Sequence, residues 1–330
     1  MIFRVIVHIR NMLYDKGLIS QKHSRFPVIS IGNISTGGTG KTPFTLMLAK
    51  LMYNQGIPVS LLSSGYGRKG TGEKVIVREG KVQDNITPEN AGDEVLQHAQ
   101  SGYYTTVIAC QPKYKCLDVF TTPVLIDDGF QHRKIYRDVD IVLINERDLQ
   151  DSLLPFGHLR ETPESLKRAD VIVCTDATPL ARMSPYMKQN ALFLRVAIEM
   201  DTPYPLHESM KNSYDSASKV MAIAGIAHPE RFKSTLISNG IHVEHFKWFT
   251  DHAEYTNTLV QTLCDEAQAH DCDTILITEK DAVKLRNFAD EFIDRKISVV
   301  ICPIRLICIE GEREFKERIL NICSHYSRLQ

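Results

Sequence analysis

Eight consecutive residues, Ser35-Thr36-Gly37-Gly38-Thr39-Gly40-Lys41-Thr42, have the make-up of a phosphate cradle. Glycines free the backbone to turn N–H groups onto β- and γ-phosphates, Lys41 adds a point charge, and the Thr42 hydroxyl is a ligand for Mg²⁺. Ser35 stands where the usual G-x-x-x-x-G-K-[ST] pattern has its first glycine, so the reading leans also on context. The β-branched run Val28-Ile29-Ser30-Ile31-Gly32 precedes the loop, and a helical stretch from Phe44 to Met52 follows it. A merely flexible turn has no use for Lys-Thr at this register.

Acidic and imidazole groups supply the remaining chemistry. Val124-Leu125-Ile126-Asp127-Asp128-Gly129 reads as a Walker B strand, whose acidic end holds Mg²⁺ directly or through water. Two adjacent carboxylates exceed one metal contact, so either Asp127 or Asp128 has a second role, in coordination or in handling an acceptor hydroxyl. Gly92-Asp93-Glu94 opens a helical Val95-Leu96-Gln97-His98, which makes Asp93 either a cap or a general base. Asp251-His252-Ala253-Glu254, ahead of Tyr255, Leu259 and Leu263, looks like a capping box with Asp251 as N-cap. His252 then falls in the first helical turn, where the positive helix end keeps an imidazole neutral and able to accept a proton or orient a base. A plain surface histidine is the alternative. His242, Glu244 and His245 point to a metal only faintly, because on an extended strand the two histidines face opposite ways.

Those groups need a scaffold, and 330 residues suffice for two domains. The net charge of −1 gives no global field toward nucleic acid or another polyanion. The eight cysteines contain no C-x-x-C pair, and Cys110, Cys174 and Cys302 sit in apolar runs where a reduced thiol acts as a small hydrophobe, a cytosolic pattern. No run reaches the roughly 18 apolar residues of a membrane span, and the N-terminus lacks a secretory cleavage pattern. Ile2, Ile6, Ile9 and Leu13 nevertheless fall at helical spacing, with Arg4, Arg10 and Lys16 flanking them. Such a helix either lies on a membrane surface or docks on the protein body.

Continuous apolar runs at 58–62, 106–110, 124–127, 140–144 and 171–174 alternate with helical segments and predict a parallel sheet covered by helices. A Pro-, Ser- and Tyr-rich stretch at 201–218 reads as a link. A second, smaller α/β domain is expected over 219–330, with strands at 220–225, 274–278 and 299–302 and a terminal helix from Glu312. The expected organisation is therefore an N-terminal helix (1–20), a P-loop domain of largely parallel sheet (21–200), the link, and the smaller domain closing over the active site.

The chain resembles the tetraacyldisaccharide 4'-kinase family over nearly its whole length. The resemblance rests on Gly37 to Pro43, Gly65-Tyr66-Gly67-Arg68, Gly92-Asp93-Glu94 and Asp127-Asp128-Gly129-Phe130-Gln131-His132-Arg133. It continues through Leu159-Arg160-Glu161, Leu166 to Asp170, Ala224-Gly225-Ile226, Pro229 to Phe232, Asp251-His252 and Thr278-Glu279-Lys280-Asp281-Ala282-Val283-Lys284. It implies ATP-dependent phosphorylation of the 4'-hydroxyl of a lipid-linked disaccharide 1-phosphate, yielding lipid IV-A. It further implies a monomer in peripheral contact with the cytoplasmic face of the bacterial inner membrane, with no nucleic acid bound. Carried over by position, the resemblance assigns Mg²⁺ and phosphate handling to Lys41, Thr42, Asp127, Asp128 and Glu161, and the base and its partner to Asp93 and His252. Three departures stand out: Ser64 in place of an arginine, Val95 in place of a proline, and a shorter, less apolar N-terminal helix. A GTPase-like switch is the rival reading, since Thr278-Glu279-Lys280-Asp281 superficially resembles a guanine-reading [NT]-K-x-D. Glu279 at the lysine's place and Asp127-Asp128-Gly129 in place of D-x-x-G speak against it. A kinase for a soluble sugar or nucleoside leaves the basic amphipathic N-terminus without a purpose.

Overall fold

Runs of Val, Ile and Leu without polar alternation are stable as strands only where both faces are covered. A computed structural model describes residues 2–70, 72–210, 219–251 and 253–327, with side chains except those of 2–4 and 325–327, and it has this form. The strands are β1 (Val28–Asn33), β2 (Ser60–Ser63), β3 (Gly72–Arg78), β4 (Lys81–Val82), β5 (Thr106–Gln111), β6 (Val124–Asp127), β7 (Val139–Ile144), β8 (Val171–Cys174) and β9 (Leu192–Met200). They are followed by β10 (Tyr204–Pro205), β11 (Val220–Ala224), β12 (Val243–Trp248), β13 (Thr274–Ile277), β14 (Ser298–Ile301) and β15 (Ile304–Glu310). The α-helices are α1 (Ile2–Asp15), α2 (Lys41–Asn54), α3 (Pro88–Ala91), α4 (Asp93–Gln100), α5 (Leu180–Met183), α6 (Pro229–Ser238), α7 (Asn257–Ala269), α8 (Glu279–Leu285), α9 (Ala289–Asp294) and α10 (Glu312–Ser327).

A ten-stranded sheet has the order β15-β9-β8-β7-β1-β6-β2-β5-β3-β4. Its central strands pair in parallel, with β1 between β6 and β7, and every residue of β1, β6 and β7 is buried. At one end of the sheet β3 pairs antiparallel with both β5 and β4. This central register places the C-terminal ends of β1 and β6 side by side, Ile31 opposite Asp127, where open parallel sheets bind their ligands. A five-stranded sheet, β10-β14-β13-β11-β12, forms the second layer system, with α7, α8 and α9 contributing to one core cluster and α6 to another.

The chain groups into two compact units, one of Met1–Ile86, His98–Ala197 and Leu306–Gln330, the other of Thr87–Gln97 and Ile198–Arg305. These limits differ from the expected 21–200 and 219–330 in two places. Residues 87–97 belong with the second unit. Residues 306–330 return to the first, where Phe315 of α10 packs on Phe44 of α2 with ring centroids 5.9 Å apart.

Two more expectations need correction. Part of the expected link is structured: Tyr204 and Pro205 pair with Ile301 and Val300 at the edge of the small sheet, where a proline that cannot donate is tolerated. Residues 211–218 lie outside the described residues. Cys110 is no free thiol but is bonded to Cys116, six residues on, across the start of the 3₁₀ turn Lys113–Val119.

Candidate active site

The loop between β1 and α2 takes its shape from two glycines. Gly37 and Gly40 have φ of 110° and 86°, in the left-handed region that a side chain disfavours, and Gly40 caps α2 so that Lys41 and Thr42 form its first turn. Ser35 is not among the positive-φ residues, so no glycine is required there. Its hydroxyl is used instead in a hydrogen bond with the buried Asp148, whose pKa burial raises while hydrogen bonds from the Asn145 backbone and from Ser35 draw it back down. Within the loop Asn33 Nδ2 donates to Thr39 Oγ1 at 2.9 Å, a wholly buried bond. On its outer side Thr36 N and Oγ1 both donate to the His158 carbonyl, and Arg160 N donates to Ile34 O. The 158–161 segment thus runs alongside the loop.

Asp128 is the centre of charge. Lys41 Nζ lies 3.6 Å from its Oδ1 and Arg160 Nη1 2.8 Å from its Oδ2. Burial opposes ionisation of Asp128, but Lys41, Arg160 and Lys113 outweigh it and hold the carboxyl well below the usual carboxylate range. The backbone at Asp128 has φ of 50°, left-handed for a non-glycine residue. Lys113, 1% exposed, fixes that turn by donating to the carbonyls of Asp127 and Asp128. Burial lowers the Lys113 pKa, and the two aspartates partly restore it. Gly32 lets the turn pack on β1: a Cβ there would lie 2.6 Å from Phe130 Cβ. Asp127 is 3% exposed, and its Oδ1 is a buried oxygen with no hydrogen-bond donor. An orphaned anionic oxygen beside a phosphate loop fits a hard cation.

Glu161 is brought to α1. Asn11 Nδ2 and Arg168 Nη2 donate to its Oε2, and Gln131 Nε2 donates to its Oε1 at 3.1 Å. Gln131 also donates to Asn33 O and accepts from Arg160 Nη1 at 3.4 Å, which links Glu161 to the Asp128 cluster through side chains. α1 is anchored again where Arg133 donates to Asn11 O and to Asp15, with its guanidinium 5.1 Å from the Tyr14 ring. The helix therefore docks by polar groups, while Ile6 and Ile9 remain 60% and 45% exposed.

Asp93 lies in the second unit, in the first turn of α4, rather than at the N-cap. Lys284 Nζ is 2.7 Å from its Oδ2. His252 lies outside the described residues. The expected capping box at Asp251 is absent: α7 begins at Asn257, Thr256 is its N-cap and accepts from Leu259 N, and Asp251 is engaged by Lys280 instead. The helix-end argument for a neutral His252 falls with it. His245 stacks on His270 at 4.3 Å, and no cluster of three potential metal ligands occurs among the described residues.

Asp281 also excludes the guanine-reading alternative. It is fully buried and accepts from Gly225 N, Tyr255 OH and Thr278 Oγ1, so its carboxylate is spent on holding its own unit together. Arg160, Lys113 and Lys284 are the groups to which sequence reasoning gave no role. Arg160 and Lys284 lay inside quoted motifs, whereas Lys113, a lone lysine after a proline, gave no signal at all.

The family model described as tetraacyldisaccharide-1-P 4'-kinase matches residues 1–324. Among curated proteins, the tetraacyldisaccharide 4'-kinase of Chlorobaculum parvum is 32% identical, covering 97% of this chain and 92% of its own. The protein of that name from Aquifex aeolicus is 33% identical over 88% of this chain and 89% of its own. The crystal structure of LpxK from Aquifex aeolicus in complex with ATP superposes with a TM-score of 0.77 at 30% identity, covering 98% of this chain and 96% of that one. With a P-loop facing an aspartate pair and a match running from end to end, this chain belongs to the tetraacyldisaccharide 4'-kinase family.

Proposed function

We propose that the protein transfers the γ-phosphoryl group of ATP to the 4'-hydroxyl of a tetraacyldisaccharide 1-phosphate, forming lipid IV-A. The observation that carries this reading is the charge arrangement at Asp128, where Lys41 and Arg160 converge beside a glycine-shaped phosphate loop. Phosphoryl transfer asks for positioning and for stabilisation of charge on the transferred oxygens, with little covalent chemistry from the protein. The loop backbone and Lys41 bind the phosphates, and Arg160, held also by Ser35 O, offers a second cation. Mg²⁺, when bound, neutralises charge on the β- and γ-phosphates. The Thr42 hydroxyl, Asp127 and Asp128 would hold it, with the orphaned Asp127 Oδ1 the best-prepared oxygen. Glu161, engaged by Asn11, Gln131 and Arg168, stabilises that arrangement through Gln131. Asp93 is the base that takes the proton of the sugar hydroxyl, with His252 as its partner.

The acceptor's acyl chains call for a lipid surface. α1 docks by Asn11 and Asp15 and leaves Val5, Ile6, Ile9 and Met12 exposed, a face suited to the headgroup boundary of the inner membrane's cytoplasmic leaflet. No helix among the described residues is long and apolar enough to cross a membrane; in this reading the protein acts as a monomer attached peripherally through α1. The test is transfer of label from γ-³²P-ATP to the acylated disaccharide 1-phosphate and to its deacylated core. Transfer to the acylated acceptor with a far lower kcat/KM on the core is expected. Equal use of both would move the reading to a soluble-sugar kinase, and label released only to water would make the protein a nucleotide-hydrolysing switch.

A further inference from the structure

The proposed base is not free-standing. Asp93 is 8% exposed, on an inserted segment whose sequence neighbours belong partly to the other unit, and a buried carboxylate needs compensation to stay charged and oriented. Lys284, in the last turn of α8 and 9% exposed, approaches it at 2.7 Å and donates at 2.9 Å to the carbonyl of Ala253. One ammonium, with three donors and no acceptor, thereby joins segments 93, 253 and 284. Lys280, one turn earlier on the same helix, holds Asp251 at 2.6 Å. Lysines at i and i+4 thus engage the Asp251 side chain and the Ala253 carbonyl. Asp281, between them, anchors α8 itself through Gly225, Tyr255 and Thr278.

We propose that Lys284 is a positioning residue for phosphoryl transfer, setting the orientation of the Asp93 carboxylate and tying it to the Ala253 backbone. The proposal rests on the reading of Asp93 as the base. Lys284 touches no reacting atom. Its contribution is to hold the carboxylate in one rotamer and to supply the opposite charge that a buried anion requires.

A positioning role and a merely structural one part company in steady-state kinetics. Lys284→Met deletes the ammonium while keeping most of the apolar stem. Measured on folded protein with the acylated acceptor, its kcat is expected to fall about 10²-fold while the KM for ATP stays within about threefold, the signature of lost orientation rather than lost binding. Lys284→Arg, which keeps the charge, restores part of that loss. Combining Lys284→Met with Asp93→Asn costs no more than Asp93→Asn alone, because both remove one unit of function. Should Lys284→Met not fold, Lys284→Gln retains a donor for the Ala253 carbonyl without the charge, and the same kcat-against-KM split decides. A wild-type kcat in the folded Lys284 variant, beside a crippled Asp93→Asn, overturns the proposal and leaves the base in place. A wild-type kcat in Asp93→Asn overturns the reading beneath it.

Discussion

Two carboxylates, one in each unit, show opposite electrostatic designs. Asp128 sits among Lys41, Arg160 and Lys113, more positive charge than one anion can balance. Asp93 lies against the ammonium of Lys284. A surplus of cations around an acid fits a site that takes a polyanion together with a metal. A carboxylate held against an ammonium fits the proposed base, whose own charge is the working part. The difference matches the proposed division between phosphate stabilisation and hydroxyl activation.

The sharpest way to break this division is to change the charge balance at Asp128 from either side. Lys41→Ala and Asp128→Asn, the latter chosen because Asn also tolerates the left-handed backbone at position 128, are expected to lower kcat by about 10³-fold. Thermal unfolding of Lys41→Ala should stay close to that of the unaltered protein, whereas Asp128→Asn also removes a carboxylate that three cations stabilise and lowers the Tm, so its kcat is measured on folded protein. Near-normal turnover in either would show that the convergence on Asp128 is structural.

Next in size is the loss of the base. Asp93→Asn is expected to cost on the order of 10²–10⁴-fold in kcat with little change in nucleotide binding, as removal of a general base does. His252→Ala should cost a similar amount, and the double variant little more than the worse single one. Multiplicative losses would show two independent groups and weaken the one-carboxylate, one-function contrast with Asp128.

How much of this could be read from the chain differs between the two regions for the same physical reason. The phosphate loop is local: glycines, lysine and threonine lie within eight residues, and the buried strands around it announce themselves as unbroken apolar runs. Strands β1, β2, β5, β6, β7, β8, β11, β13 and β14 accordingly fall where those runs are. The clasp on Asp93 is assembled from positions 93, 253 and 284, a set with no fixed spacing to recognise. Local patterns also misled. Asp251 to Glu254 has the form of a capping box, but Thr256 supplies the real cap and Asp251 is drawn to Lys280. Pro205 hid an edge strand, and the Cys110–Cys116 bond left no signature in spacing. The return of α10 to the first unit is a tertiary choice made by Phe315 against Phe44, which amphipathic periodicity alone does not specify.

A third test asks whether α1 serves the acceptor side alone. Ile6→Glu with Ile9→Glu alters exposed positions and leaves the Asn11 and Asp15 anchors intact. Attachment to anionic vesicles should be lost in a flotation assay and the apparent KM for the acylated acceptor should rise about tenfold, while the KM for ATP holds. Deleting residues 1–18 should do at least as much. Salt should reproduce part of the effect, since charges attract lipid only within a Debye length of about 8 Å at physiological ionic strength. A variant that still floats with vesicles and keeps its acceptor KM would make α1 a structural helix and place acyl recognition elsewhere.

The smallest effect concerns the interior behind the cation-rich site. His98 is fully buried, with its Nδ1 2.9 Å from Tyr104 OH, and burial pushes its imidazole down to about 4 although the Asp127 charge pulls the other way. His132 is likewise pushed down to about 4, by burial first and Lys113 second. Both are therefore neutral in the folded protein at pH 5, whereas the unfolded chain takes up protons as the pH falls past about 6.5. The sign follows: between pH 6.5 and 4 the unfolded state binds more protons, so stability declines with falling pH, by at most about 1.4 kcal/mol per pH unit for each histidine. His98→Gln has no proton to take up in this range. Its urea midpoint, lower than the parent's at pH 7 because a packed ring is lost, should fall less steeply between pH 6.5 and 5. If the two midpoints instead decline in parallel, His98 is protonated in the folded state, and a second cation, not a neutral ring, lies behind Asp127.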